Sequence, residues 1–239
     1  MAVFPFARKI LILVCTATWS LSAEAGITDT GVPSDRPRIA LVIGNSAYKT
    51  APLPNSSNDA RLISSTLKSL GFDVAEHIDI TRRQMKQAVA TFEDRLQKAG
   101  KKAVGVFYYA GHGVQVRGKN YLLPVNADIN KEYEVDDEAL DATNVLEAME
   151  FAGNELNFVI LDACRNNPFP RSFRSSTKGL ARMDAPSGTL ISYSTAPGDV
   201  AADGAGANSP YTTALASTMV KPGLAVEQMF KKVRVAVRF

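Results

Sequence analysis

The chain is poor in the residues that announce a stapled or metal-bound fold. Its 239 residues include two cysteines, Cys15 and Cys164, and two histidines, His77 and His112. No zinc-type Cys/His spacing exists, which excludes a zinc module and leaves no metal site to assign. A bilayer-spanning run of roughly 20 apolar residues is missing as well. The mostly apolar run over residues 10–21 covers only 12 positions. It follows Arg8 and Lys9 and leads to Ala23-Glu24-Ala25, with small residues at the −3 and −1 positions before Gly26. Residues 1–25 therefore read as a secretory signal peptide cleaved after Ala25. That predicts an exported product, periplasmic or secreted, with no stable membrane insertion once the signal is gone.

Charge of one sign is lacking too. The formal net charge is +3, and +2 without Arg8, Lys9 and Glu24. Mixed charge this weak and this spread out points to no nucleic-acid or membrane-surface partner. Repeats and low-complexity tracts are absent. Losing Cys15 with the signal leaves Cys164 as the single thiol in a compartment that favours disulfides. An intrachain disulfide is then excluded, and Cys164 is either an inert core thiol or a reactive one.

What is present is an alternation of β and α patterns. Residues 26–36 form a polar lead-in. Residues 38–44 are a buried strand, and 58–70 are a helix with apolar residues at 60, 63, 67 and 70, closed by Gly71. A strand over 72–78 and a helix from a Thr81 N-cap to about Ala99 follow, stopped by Gly100. The strand 103–110 ends in Gly111-His112-Gly113. Residues 114–116 and 120–123 are expected to pair as a hairpin around Gly118-Lys119. A helix is expected over about 138–151. The apolar run Val159-Ile160-Leu161 then ends in Asp162-Ala163-Cys164. A strand over 188–195 and helices at about 209–220 and 224–237 complete the pattern. Such alternation argues an α/β fold with a mainly parallel sheet and helices on both faces.

In open α/β sheets ligands bind beyond the carboxyl ends of the strands, where His112 and Cys164 both fall. They are 52 residues apart. A thiol is a weak nucleophile until a base removes its proton, and an imidazole can take that proton and later give it to a leaving amine. Gly113 offers an unhindered backbone amide to a developing oxyanion. Taken singly, Cys164 reads equally as core packing and His112 as a loop histidine between turn glycines. Their joint placement favours a catalytic dyad.

The stretches Ile39-Ala40-Leu41-Val42-Ile43-Gly44-Asn45, Leu70-Gly71-Phe72-Asp73-Val74, Tyr109-Ala110-Gly111-His112-Gly113 and Asp162-Ala163-Cys164-Arg165 resemble the caspase and metacaspase superfamily. With Tyr193-Ser194-Thr195-Ala196-Pro197-Gly198 and Asn208-Ser209-Pro210-Tyr211-Thr212, the pattern is similar to exported bacterial members over about 36–239. Animal caspases likewise carry the histidine about 50 residues upstream of a Gln-Ala-Cys-x-Gly signature, where this chain has Asp-Ala-Cys-Arg-Asn. The resemblance implies the caspase-hemoglobinase fold in residues 37–239. A large-subunit-like region (37–167) would be joined by a basic loop (168–186) to a small-subunit-like region (187–239). Related bacterial proteins continue past this point, so the small-subunit-like region is expected to be truncated. The resemblance also implies a cysteine endopeptidase acting on protein or peptide substrates. Cys164 would be the nucleophile, His112 the base and acid, and the Gly113 and Cys164 amides the oxyanion hole.

By the same resemblance, Asp59 and Asp162 match pocket aspartates of metacaspases. Two carboxylates would pair with Arg or Lys and repel Asp, which predicts cleavage after basic residues. The competing readings are a charge that favours a helix N-terminus for Asp59 and a strand-end anchor for Asp162. Ser192, Tyr193 and Ser194 resemble the strand that pairs with substrate backbone. The loop residues Arg171, Arg174, Lys178 and Arg182 offer a basic-specific enzyme a self-processing site, although an exposed linker explains them equally. The acidic residues Asp128, Glu132, Glu134, Asp136, Asp137 and Glu138 raise the question of calcium activation, but they supply no complete site. No cofactor is required by the dyad chemistry. A non-catalytic interaction module on the same fold, or another dyad-dependent acyl-transfer enzyme, remains the alternative, and the oligomeric state is not legible.

Overall fold

Strands that are apolar along their whole length must be covered on both faces, and three here decide the architecture. They are β1 (Arg38–Gly44), β3 (Val104–Ala110) and β7 (Leu156–Asp162). The computed structural model describes residue 1 and residues 35–163, 179–195 and 206–237. The expected signal peptide and most of the lead-in lie outside the described residues. With β2 (Asp73–Ile78) and β8 (Thr189–Tyr193) the three strands form a five-stranded sheet in the order β2-β1-β3-β7-β8. All four pairings are parallel.

Alternate residues of each strand feed two separate cores. On one face Leu41, Ile43, Phe107, Tyr109, Val159 and Leu161 pack against α2 (Arg82–Ala99) and α4 (Thr143–Ala152). On the other, Val42, Val106, Tyr108 and Ile160 pack against α1 (Pro54–Ser69), α5 (Pro210–Met219) and α6 (Val226–Val237). Each fully buried large side chain stabilises by about 1.5–3 kcal/mol. A second, antiparallel sheet of β4 (Gly113–Val116), β5 (Lys119–Leu122) and β6 (Leu140–Asp141) sits over a smaller core that includes Tyr48, Val114 and Leu123. Among the described residues no helix is long and apolar enough to cross a membrane.

Several boundaries differ from the sequence expectations. Helix α1 begins at Pro54, four residues before the expected start, because Pro54 occupies the first helical turn with its φ already fixed. The hairpin turns at Arg117-Gly118, both left-handed (φ 51° and 80°), rather than at Gly118-Lys119. The helix expected over 138–151 is split. A short α3 (Val135–Glu138) ends, and Leu140-Asp141 pairs with Leu122-Tyr121 instead of continuing it. The Ala142 amide donates to the Asn120 carbonyl and Asp141 Oδ1 accepts the Thr143 amide, so α4 starts afresh at Thr143. Tertiary pairing thus overrides helix propensity there.

Candidate active site

The carboxyl ends of β1, β3, β7 and β8 define one edge of the parallel sheet. Ala110 pairs with Asp162 across β3 and β7, so His112 and Cys164 each lie two positions beyond a matched pair. The Gly111 amide donates to the Asp162 carbonyl at 3.3 Å and keeps the two strand ends together. Cys164 itself lies outside the described residues.

His112 is 2% exposed and is held on all sides. Its amide donates to Tyr48 Oη at 3.0 Å. Its carbonyl accepts from Tyr109 Oη at 2.9 Å and from the Leu123 amide at 3.0 Å. The Tyr48 ring leans on the imidazole with centroids 4.5 Å apart and planes at 56°. Nε2 lies 2.7 Å from the Ala51 carbonyl. A carbonyl only accepts, so Nε2 carries the proton and Nδ1 the lone pair of the neutral ring. Ala51 makes that contact from a left-handed backbone (φ 54°), unusual for a residue with a Cβ.

Gly113 is required by close approach. A Cβ there would lie 2.8 Å from the Ala163 carbonyl oxygen and 3.1 Å from Ala163 Cβ. The His112-Gly113 peptide is therefore packed against Ala163, the residue covalently joined to Cys164.

Asp59 and Asp162 are both 0% exposed and meet at one residue, Ser209. Asp59 Oδ1 accepts from the Ser209 amide at 2.9 Å and from Asn208 Nδ2 at 3.0 Å. Asp162 Oδ2 accepts from Ser209 Oγ at 2.6 Å and from Thr212 Oγ1 at 3.0 Å. Ser209 is also the N-cap of α5, its Oγ accepting the Thr212 amide at 3.0 Å. Buried carboxylates are tolerated only with such donors. The Tyr108 hydroxyl lies 2.6 Å from Thr212 Oγ1. Its phenol is held well above the usual range by burial first and by the Asp162 and Asp59 charges next. The reading of Asp59 as a helix-terminal charge is corrected: α1 starts at Pro54, which puts Asp59 beyond the first turn, where no acidic residue occurs. Asp162 does anchor a strand end, by holding the start of α5.

Of the predicted substrate-pairing residues, Ser192 and Tyr193 in β8 use their side chains internally, and Ser194, just past the strand, uses its backbone amide. Ser192 Oγ lies 2.7 Å from Tyr211 Oη, Tyr193 Oη accepts the Met183 amide at 3.0 Å, and the Ser194 amide donates to the Leu161 carbonyl at 3.0 Å. Among the described residues β8 is paired on one side only. Arg171, Arg174 and Lys178 lie outside the described residues. Arg182 is exposed, but its neighbours are fastened. The Ala181 amide donates to Asn120 Oδ1 and Asn120 Nδ2 donates to the Ala181 carbonyl, both at 2.7 Å, while Met183 is held by Tyr193.

Of the acidic residues at 128–138, Glu134 and Asp136 are used locally. Glu134 Oε2 accepts the Asn130 and Lys131 amides at 2.8 and 2.9 Å, and Asp136 accepts from the Tyr121 hydroxyl. Among the described residues no group of three or more His, Cys, Asp or Glu converges on a metal position. Sequence reasoning missed Tyr48 and Ala51, which lie in an aperiodic loop and act through a hydroxyl and a carbonyl. It also missed Ser209 and Thr212 as carboxylate partners, although Ser209-Pro210 is a legible N-cap followed by proline at the first helical position.

Comparison with known proteins places these features in a family. Residues 37–239 match the family described as the caspase domain, Peptidase_C14. Mucosa-associated lymphoid tissue lymphoma translocation protein 1 of Homo sapiens is 33% identical over 137 residues, which are 57% of this chain and 16% of that protein. Its homolog in Mus musculus is 34% identical over 137 residues, with the same coverage. The chain thus aligns with only 16% of the length of either curated relative.

Proposed function

Because the chain belongs to the caspase domain family of cysteine peptidases and has the α/β caspase-hemoglobinase fold, we propose that it is a cysteine endopeptidase cleaving after Arg or Lys. One observation carries this reading. The Gly113 peptide, which follows the fixed His112, is packed on Ala163, the residue covalently joined to Cys164. Consecutive Cα atoms are about 3.8 Å apart, so the chain ties the thiol-bearing residue directly to one that packs on Gly113.

His112 Nδ1 takes the Cys164 thiol proton, and the thiolate sulfur attacks the scissile carbonyl carbon. The negative charge on the former carbonyl oxygen is met by the Gly113 and Cys164 amides. As the tetrahedral centre collapses, the C–N bond breaks and His112 gives its proton to the departing amine. Water then adds to the thioester with His112 again as base, which releases the acid and restores the thiol. The Nε2–H bond to the Ala51 carbonyl keeps the ring in the tautomer this cycle needs.

Asp59 and Asp162 supply the preference for basic residues. Both carboxylates already receive N–H or O–H donors, and Asn208 Nδ2 brings Asp59 the donor type a guanidinium provides in duplicate. The backbone of 192–194 takes the substrate strand. Self-processing falls at Arg171, Arg174 or Lys178 rather than Arg182, whose flanking residues are hydrogen-bonded on both sides. The enzyme is exported by residues 1–25.

The deciding experiment pairs stoichiometric iodoacetamide alkylation with hydrolysis of fluorogenic Arg, Lys and Asp peptides. Activity that disappears with Cys164 and is confined to Arg and Lys peptides supports the proposal. Full activity in Cys164→Ala removes the dyad, and preferential Asp cleavage removes the pocket assignment. Protein without activity despite a free, alkylatable thiol is an interaction module. Gel analysis of wild type beside Cys164→Ala tests self-processing, which is excluded if active wild type stays intact.

A further inference from the structure

The hold on His112 runs through loop 45–53, and one side chain outside that loop fixes its shape. Asp79 follows β2 with a left-handed backbone (φ 54°), a conformation aspartate tolerates better than most residues. Its amide donates to the Gly44 carbonyl at 2.9 Å. Its Oδ1 accepts the backbone amides of Ser46 at 2.6 Å and Ala47 at 2.9 Å. Ser46 Oγ lies 3.1 and 3.2 Å from the two carboxylate oxygens.

Ser46 then closes the loop, its carbonyl accepting the amides of Tyr48 at 2.9 Å and Leu53 at 3.0 Å. Inside that ring lie Tyr48, which takes the His112 amide, and Ala51, which takes Nε2–H. A left-handed alanine persists only where its surroundings over-determine it. Bonds from two amides to an ionised carboxylate are of the strong kind able to do so. Hydrogen bonds therefore run from Asp79 through Ser46 to Leu53, and the two backbone links from Leu53 back to Ala51 bring its carbonyl onto the imidazole.

We propose that Asp79 is a positioning residue for the His112 base: by gathering the Ser46 and Ala47 amides it folds loop 45–53 so that the Ala51 carbonyl selects the Nε2–H tautomer. The proposal rests on the reading of His112 as the base of Cys164. Asp79 touches no reacting atom. Titratable groups that touch His112 include the phenols of Tyr48, from the loop, and Tyr109, from β3. The Ala51 carbonyl on Nε2 favours the ring that carries a proton there.

Two histidines in the chain make the test direct, because NMR resolves each ring. The titration and tautomer of His112 are recorded in Cys164→Ala protein with Asp79 intact, with Asp79→Asn and with Asp79→Ala. With Asp79 intact a single Nε2–H tautomer is expected. Asp79→Ala mixes the tautomers and moves the midpoint down by about one pH unit, while Asp79→Asn, which keeps an oxygen acceptor, falls between. With Cys164 present, Asp79→Ala lowers kcat about tenfold with KM within about twofold.

A lower melting temperature with His112 tautomer, midpoint and kcat unchanged would make Asp79 a turn residue only and overturn the proposal. If Asp79→Ala does not fold, Asp79→Asn decides by the same readings. The NMR arm needs no peptidase activity. Full activity of Cys164→Ala sinks the peptidase reading, whereas an unmoved His112 sinks this one.

Discussion

Tyr108 and Tyr109 are neighbours on β3, yet they serve opposite halves of the site. Tyr109 points to the α2/α4 side and joins Tyr48, Leu123 and the His112 backbone. Tyr108 points to the α1/α5 side and joins Thr212, which holds Asp162. Among these contacts the imidazole half is built from backbone carbonyls, amides and neutral hydroxyls. The carboxylate half buries two acids and surrounds them with donors. A group that must gain and lose a proton is best held by neutral partners, whose energies change little as it titrates. A group that must keep its charge is best held by donors and the positive end of a helix. On this view turnover belongs to one face of β3 and substrate choice to the other.

The sharpest way to break that division is to remove each charge-bearing centre. His112→Ala is expected to lower kcat by about 10³–10⁴ with little change in KM. Asp162→Asn should cost an Arg peptide about 10²–10³ in kcat/KM and leave the rate of Cys164 alkylation near the wild-type value. Steady-state kinetics beside iodoacetamide rates measure both. If Asp162→Asn slows alkylation as much as hydrolysis, the two halves are one unit.

A gentler comparison exchanges the two phenols. Tyr108→Phe and Tyr109→Phe should each destabilise by about 1–3 kcal/mol in urea titrations, because each strips a buried hydroxyl from a network. Tyr109→Phe should lower kcat, and Tyr108→Phe should raise KM for Arg peptides. Identical kinetic profiles would erase the distinction.

Alkaline titration follows from the same pair. Burial first, with the Asp162 charge at Tyr108 and Tyr48 at Tyr109, raises both phenols well above their usual range. A folded value above the unfolded one gives stability that is complete below about pH 10 and is lost as pH rises further. Absorbance at 295 nm should show these two of seven tyrosines ionising only as the fold opens. The smallest effect lies outside the site. Burial lowers the pKa of His77, so its contribution is complete above about pH 6.5 and declines as pH falls through that value toward the folded one. His77→Gln should remove this slope from the acid side of the stability curve.

Much of the fold and part of the site are legible in the residues alone. Apolar runs long enough for one strand predict the buried parallel sheet, because residues covered on both faces cannot alternate. The Thr81 N-cap and Gly100 stop of α2 are visible because capping is local chemistry. His112 and Cys164 stand out as the histidine and the thiol that follow buried strands. The 138–151 stretch misleads because two residues, Leu140 and Asp141, gain more from pairing with β5 than from one more helical turn. No local pattern records a partner about twenty residues away.

The order of residues alone says which side chains exist to do chemistry and which strands carry them. What holds those side chains emerges with the folded packing. Ala51 and Ser46 contribute carbonyls, and every residue has one, so no letter marks them. Ser209 bridges Asp59 and Asp162 from 150 and 47 positions away, a meeting set by the packing of α5 against α1 and β7. Backbone acceptors and long-range meetings are products of where the chain folds, and composition cannot encode them.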